Sequence, residues 1–358
     1  MSAAGTSSAD QLAARQQRTA QVRRFMRRRE PPLVIVTLLV FGVTTLLKPG
    51  FGASNNVSFM LATAMPLAVL AVGQTVVCLV RGIDLSVAPV LGIAAVSTGF
   101  LAQDHGDSVW SMIPLAIGIG IGLGFVNGLF ITYARIPPII ATLGTYTVYS
   151  GVQQLICNSA TVVTLPTQYE AVGIHDFIAP IPWLVIPGIV VTVVMALILR
   201  RTKWGRSLYA FGNNADASYR AGIRVNFVQL SAYTVCGTLA GLGGLVYLCK
   251  YTSAGYVSGE DISIQLQSIA CVLIGGTTLT GGKGGVVGSF IAAIFLTVVL
   301  EAVIVLKINF DWENAVVGVL LLAAILVDAY QNRQGASMRY SLGRMFLSRP
   351  TARTGATS

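Results

Sequence analysis

The side chains that most often carry chemistry are few and scattered in this chain. Five cysteines, Cys78, Cys157, Cys236, Cys249 and Cys271, each lie in or at the edge of an apolar run, without the close spacing of a metal site. They read as small buried hydrophobes. The two histidines, His105 and His175, fall in polar stretches far from any cysteine and from one another, so no metal site is expected. The run Gly275-Gly276-Thr277-Thr278-Leu279-Thr280-Gly281-Gly282-Lys283-Gly284-Gly285 invites comparison with a phosphate loop, which needs glycine, four residues, then Gly-Lys-Ser/Thr. Counting back from Gly282-Lys283 puts Thr277 where the first glycine belongs, and Gly284 stands where the magnesium-binding hydroxyl belongs. The match fails, so neither nucleotide nor metal cofactor is expected in this chain. Two acids in apolar context remain: Glu301 falls near the outer end of a run and Asp328 near the inner end of the last. Both are placed to reach water or headgroups; a proton relay is the other reading.

The elements that position these residues follow from composition. Of 358 residues 54% are apolar and 11% charged, against about a quarter charged in soluble domains. Apolar runs at 31 to 47, 57 to 80, 85 to 103, 109 to 133, 136 to 157, 181 to 199, 227 to 249, 265 to 280, 284 to 306 and 314 to 329 are separated by short charged punctuation. Most approach the length a helix needs to cross about 30 Å of hydrocarbon. The expected fold is an all-α polytopic membrane protein with about ten transmembrane helices. It divides into a basic cytoplasmic segment over 1–30, a membrane domain over 31–329 and a basic cytoplasmic tail over 330–358. The first span is expected to be retained rather than cleaved as a signal peptide. Seven arginines stand before it, against only Asp10 and Glu30. With both termini in the cytoplasm, all but Lys48, Lys250 and Lys307 of the 24 lysines and arginines lie inside. The net charge of +10 therefore marks a face that meets anionic lipid, and gives no reason to expect nucleic acid.

Glycines at helical spacing (Gly118 and Gly122; Gly120, Gly124 and Gly128; Gly237 and Gly241; Gly284, Gly288 and Ala292) predict close helix packing. The alternation over 117–125 mimics a strand, but its length and setting argue for a helix. Two glycine-rich breaks interrupt spans. The first is Arg81-Gly82-Ile83-Asp84-Leu85-Ser86, where Arg81 and Asp84 are three apart and able to neutralise one another; the second holds Gly276, Gly281 and Gly282. Such discontinuities often flank a transport pathway, because unwound backbone is tolerated at membrane depth only where protein or water satisfies it. The longest inner loop, 200–226, contains Gly212-Asn213-Asn214 as a cap, a helix-favouring stretch with Asp216, Tyr219 and Arg220, and Gly222 as a stop. This short helix is either a docking element for another protein or a solvated connector.

Together these segments resemble the ABC-type sugar permeases of the ribose, xylose and galactose transport systems, over about residues 57–329. The motifs are Gly82-Ile83-Asp84-Leu85-Ser86-Val87; Asn127-Gly128 with Ile136-Pro137-Pro138 and Thr142-Leu143-Gly144-Thr145; Gly205-Arg206, Tyr209-Ala210, Gly212-Asn213 and Gly222-Ile223; and Gly275-Gly276-Thr277, Leu279 and Gly281-Gly282-Lys283-Gly284. The resemblance implies an importer subunit in the bacterial inner membrane, working as a dimer by alternating access. Cytosolic ATPase subunits, carrying the ATP and magnesium, and a periplasmic sugar-binding protein are its implied partners. Residues 212–222 would then be the coupling helix, although Asp216 and Tyr219 stand where family members often carry glutamate and arginine. A bulky residue at Gly212 or Gly222 is expected to uncouple hydrolysis from transport while leaving assembly intact.

A neutral hydroxylated solute suits a polar, uncharged lining, and Gln74, Asn127, Thr142, Thr145, Tyr146, Gln153 and Gln154 are the candidates. Each is equally suited to bonding helices together. The competing functions are a branched-chain amino acid permease, which the Gly-Ile-Asp-Leu-Ser segment disfavours, and an ion-coupled secondary transporter, which needs an acid near the midplane. A membrane enzyme needs a His, Cys or acidic cluster that the sequence lacks.

Overall fold

The computed structural model describes residues 30–256, 260–307, 312 and 314–326. The basic segments at both ends, with Asp328, lie outside the described residues.

Apolar composition becomes helix throughout. α1 (Glu30–Leu47) leads through a short 3-10 turn to α2 (Ser54–Leu79), and α3 (Val87–His105), α4 (Val109–Thr132) and α5 (Pro138–Cys157) follow. A short helix α6 (Thr167–Ile174) and an antiparallel pair, β1 (Asp176–Ile178) and β2 (Ile181–Pro182), precede α7 (Val185–Arg201). Next come α8 (Lys203–Asn213), α9 (Ala215–Arg220), α10 (Val225–Tyr251), α11 (Glu260–Ile274) and α12 (Val286–Val305). An apolar helix α13 (Asn314–Leu326) is last. Each of the ten apolar runs thus holds a helix. Among the described residues six are long and apolar enough to cross a membrane unaided, and α7 with α8, bent by 74°, makes a seventh candidate. The stretch over 117–125 is helical, within α4.

Burial orders these helices. The apolar window of α2 is 89% buried and that of α1 only 11%, so α2 is the axis of the bundle and α1 an apolar helix exposed at its edge. Leu46 on α1 is 84% exposed, a cost in water and none in hydrocarbon. In the absence of a hydrophobic drive inside the bilayer, close backbone approach brings helices together, and α4 and α10 use it. A Cβ built on Gly237 would fall 2.4 Å from Gly120 O, and one on Gly241 would fall 2.2 Å from Ala116 O. Gly237→Ala is therefore expected to destabilise the bundle by about 1–3 kcal/mol through overpacking, measured as a lower unfolding midpoint in detergent. An unchanged midpoint would show that α4 and α10 can separate freely. The other pattern differs: Gly118 and Gly122 face open space, and Gly284 precedes α12, leaving Gly288 to pack on Gly275. Thr75 and Ser289 join α2 to α12 through a buried hydroxyl pair at 2.7 Å.

The turn between α7 and α8 is set by Thr202, whose hydroxyl accepts from Gly205 N at 3.0 Å and starts a new helix in a new direction. Asn214 repeats the device for α9, accepting from Ala217 N at 3.0 Å. Gly222, at φ +82°, ends the segment in the left-handed region that a Cβ disfavours.

Candidate functional site

The first break is the chain between α2 and α3. Asp84, only 1% exposed, accepts at Oδ1 from Ser86 N (2.9 Å) and Ser86 Oγ (2.7 Å). Asn127 Nδ2 on α4 donates to Ser86 Oγ at 2.6 Å. Gln74 on α2, its amide oriented by its partners, clasps the Asp84 backbone like a neighbouring peptide: Nε2 donates to Asp84 O at 3.2 Å and Oε1 accepts from Asp84 N at 3.1 Å. Thr142 on α5 donates to Pro138 O at 2.8 Å and approaches Ile83 O at 3.3 Å. Tyr149, also on α5, donates to Leu123 O at 3.0 Å and lies 3.4 Å from Asn127 Oδ1. Side chains from α2 and α5 thus satisfy non-helical backbone at Asp84 and Ile83, and α4 holds the Ser86 hydroxyl, where Gly82, Asp84 and Ser86 are buried.

Three of the seven polar candidates, Gln74, Asn127 and Thr142, therefore meet at this break. The other four share α5. Thr145 donates to Thr142 O within its own helix at 3.2 Å, Gln153 is buried and approaches Gly255 O at 3.4 Å, Tyr146 is half-buried and Gln154 is exposed. Ser86 and Tyr149 were missed as site residues. The signal for Ser86 was its place two residues after Asp84, the spacing at which a carboxylate bonds the backbone ahead of it.

The expected pairing of Arg81 with Asp84 does not form. Residues 80–86 are not helical, so the three-residue spacing does not place both side chains on one face, and Arg81 sits at φ +62°. Its guanidinium turns the other way: Nε donates to Gly212 O and Nη2 to Asn213 O, each at 2.7 Å. These carbonyls belong to the last turn of α8, directly before the Asn214 cap of α9.

The second break, between α11 and α12, arrives at the same place. Gly282 N donates to Leu79 O, the last carbonyl of α2, at 3.0 Å, and Asn213 Nδ2 lies 3.5 Å from Gly282 O. Tyr209 on α8 donates to Gly284 O at 3.0 Å. Within the loop Gly285 N donates to the Thr277 hydroxyl at 3.2 Å, and Thr278 N to Lys283 O at 3.2 Å. A cavity of about 360 Å³ opens beside it, lined by Arg200, Tyr209, Thr278 and Lys283 among others.

Gly212 is the pivot of this junction. A Cβ there would fall 1.9 Å from Leu79 O and 2.3 Å from Gly282 N, whereas one on Gly222 would meet nothing within 4 Å. The expectation that both positions tolerate bulk with assembly intact is corrected for Gly212, which has backbone on two sides. Beyond the junction Asp216, Tyr219 and Arg220 of α9 are exposed, Tyr219 by 70%.

The remaining chemistry-bearing side chains stay apart. The five cysteines are buried and form no disulfide with one another, His105 and His175 are exposed, and no group of three His, Cys, Asp or Glu side chains converges among the described residues. Glu301 on α12 lies within electrostatic reach of Lys250 on α10, whose ammonium sits 3.7 Å from the centre of the Phe59 ring.

A bundle of apolar helices in which two glycine-rich connections meet the end of α8 is the architecture of a polytopic membrane protein. The chain belongs to the family described as branched-chain amino acid transport system / permease component, whose model matches residues 56–325. It is 32% identical over 303 residues to the autoinducer 2 import system permease protein LsrC of Photorhabdus laumondii, covering 84% of this chain and 89% of that protein. The LsrC proteins of Photorhabdus luminescens and Yersinia enterocolitica are each 31% identical, over 84% of this chain and 89% and 82% of their own lengths. No solved structure matches at a significant level. The expected class thus holds: this is a multi-pass permease component of an ABC-type import system in the bacterial inner membrane.

Proposed function

We propose that the chain translocates a sugar or sugar-like solute into the cytoplasm, driven by partner ATPase subunits that dock on α9, and receives that solute from a periplasmic binding protein. The observation that carries the coupling role is the position of α9: its outer side chains Asp216, Tyr219 and Arg220 are exposed, while the turn behind it touches both glycine-rich breaks. A solvated connector needs no such backing. The solute class rests on the motif resemblance and on relatives named for autoinducer 2 import. Two permease protomers, of this chain or a related one, would enclose the pathway, with about ten spans each. Within that arrangement Gln74, Asn127 and Thr142 serve to hold the first break, and α5, through Tyr146 and Gln154, offers polar groups to the solute.

Proteoliposomes containing this chain, its candidate ATPase and its candidate binding protein test the reading against pentoses, hexoses and autoinducer 2, with each subunit omitted in turn. Uptake is expected only when all three are present with ATP. Uptake by this chain alone under an ion gradient would establish a secondary transporter instead, and uptake of branched-chain amino acids in place of sugars would correct the solute class.

A further inference from the structure

We infer that Arg81 is the positioning residue that transmits movement of α9 to the two glycine-rich breaks. The inference rests on α9 being the ATPase-docking helix.

Three observations converge on it. Arg81 holds the two carbonyls immediately before the α9 cap, Gly212 O and Asn213 O, with two separate nitrogens at 2.7 Å each. It belongs to the first break, whose backbone is clamped three residues later through Asp84. It also contacts the second break: a Cβ on Gly281 would fall 2.5 Å from Arg81 Cγ, and the carbonyl of Leu79, two residues before Arg81, accepts from Gly282 N at 3.0 Å. One side chain therefore touches the three segments that must move together when a cytoplasmic engine acts on a membrane pathway. The backbone fixes where this side chain starts: Arg81, at φ +62°, is the left-handed residue that ends α2, its N–H donating to Cys78 O and that of Gly82 to Val77 O, each at 3.0 Å.

The chemistry also explains why the residue is arginine. Two carbonyls on successive residues present two acceptors, and a planar guanidinium can meet both from fixed directions, whereas an ammonium is a compact point charge. A positive charge that served only to orient the chain in the membrane would be equally well supplied by lysine.

The test compares Arg81→Gly and Arg81→Lys with wild type in the reconstituted complex, measuring assembly, ATP hydrolysis and solute uptake per ATP. Glycine suits the left-handed backbone and offsets part of the two lost hydrogen bonds, so the variant is expected to assemble with a lowered unfolding midpoint; lysine keeps the charge. Both are expected to hydrolyse ATP while uptake per ATP falls about tenfold, within the usual range of coupling between sites. Wild-type uptake per ATP in Arg81→Lys would reduce Arg81 to a topological charge and overturn the inference. So would a loss of assembly in both variants, which makes the residue a structural tie only. The wild-type control separates the two levels: if its uptake needs no ATPase, the docking reading itself fails and takes this one with it.

Discussion

Replacing Gly212 by valine is expected to remove most assembled permease and with it ATP-driven uptake, because the position has no room for any side chain. The atoms a Cβ would strike, Leu79 O at 1.9 Å and Gly282 N at 2.3 Å, are backbone, and they are hydrogen-bonded to each other at 3.0 Å. No rotamer change can clear them. Accommodation requires α8 to lift away from both breaks, which also draws the Gly212 and Asn213 carbonyls off the Arg81 guanidinium. Overpacking alone costs about 1–3 kcal/mol, and the loss of hydrogen bonds to a charged group adds about 1.5–3 kcal/mol each. The expected result is a strongly lowered unfolding midpoint in detergent and uptake below about a tenth of wild type. Gly222→Ala is the control: it meets open space and carries only the left-handed penalty of about 1–2 kcal/mol. Equal behaviour of the two variants would mean that α8 does not lie against the breaks as described.

What sequence patterning could and could not reveal follows from the physics of each element. Apolar length marks a helix destined for lipid, which is why α1, α2, α3, α4, α10 and α12 were found near their true ends. α9 was also legible, since Asn214 and Gly222 punctuate a stretch of helix formers. The neighbouring α8 was not, because it is amphipathic and too short to span; only Trp204, Leu208 and Phe211, recurring at helical spacing, betray it. Likewise α6 and the β1–β2 pair fill what reads as a polar loop, and they are packed by single residues such as Tyr169, fully buried, rather than by a periodic face. The site shows the same division. Two glycine-rich breaks can be seen in a sequence, but their meeting at Gly212 is a long-range contact with no local signature, and Arg81 was assigned to the nearest opposite charge. A helical spacing rule was applied there to backbone that is not helical.

The same long-range character makes Asp84 the second sensitive position, and Asp84→Ala is expected to destabilise the protein by about 2–4 kcal/mol. Removing the carboxylate strips acceptors from Ser86 N and Ser86 Oγ, both bonded to the single atom Oδ1, in a place that is 1% exposed. Water cannot replace them without opening the interface between α3 and α4. The loss would spread to Asn127, which donates to Ser86 Oγ at 2.6 Å and whose own orientation depends on where that hydroxyl points. Asp84→Asn separates shape from charge: an amide oxygen at the Oδ1 position keeps both Ser86 bonds, so this variant is expected to lose less than about 1 kcal/mol. Thermal unfolding in detergent measures both, and uptake per ATP shows whether a loosened break still follows α9. If alanine and asparagine behave alike and near wild type, the break is held by Gln74 and Thr142 alone. If both are equally damaging, the negative charge itself is required, and the carboxylate must be answering a cation that docks from outside the described residues.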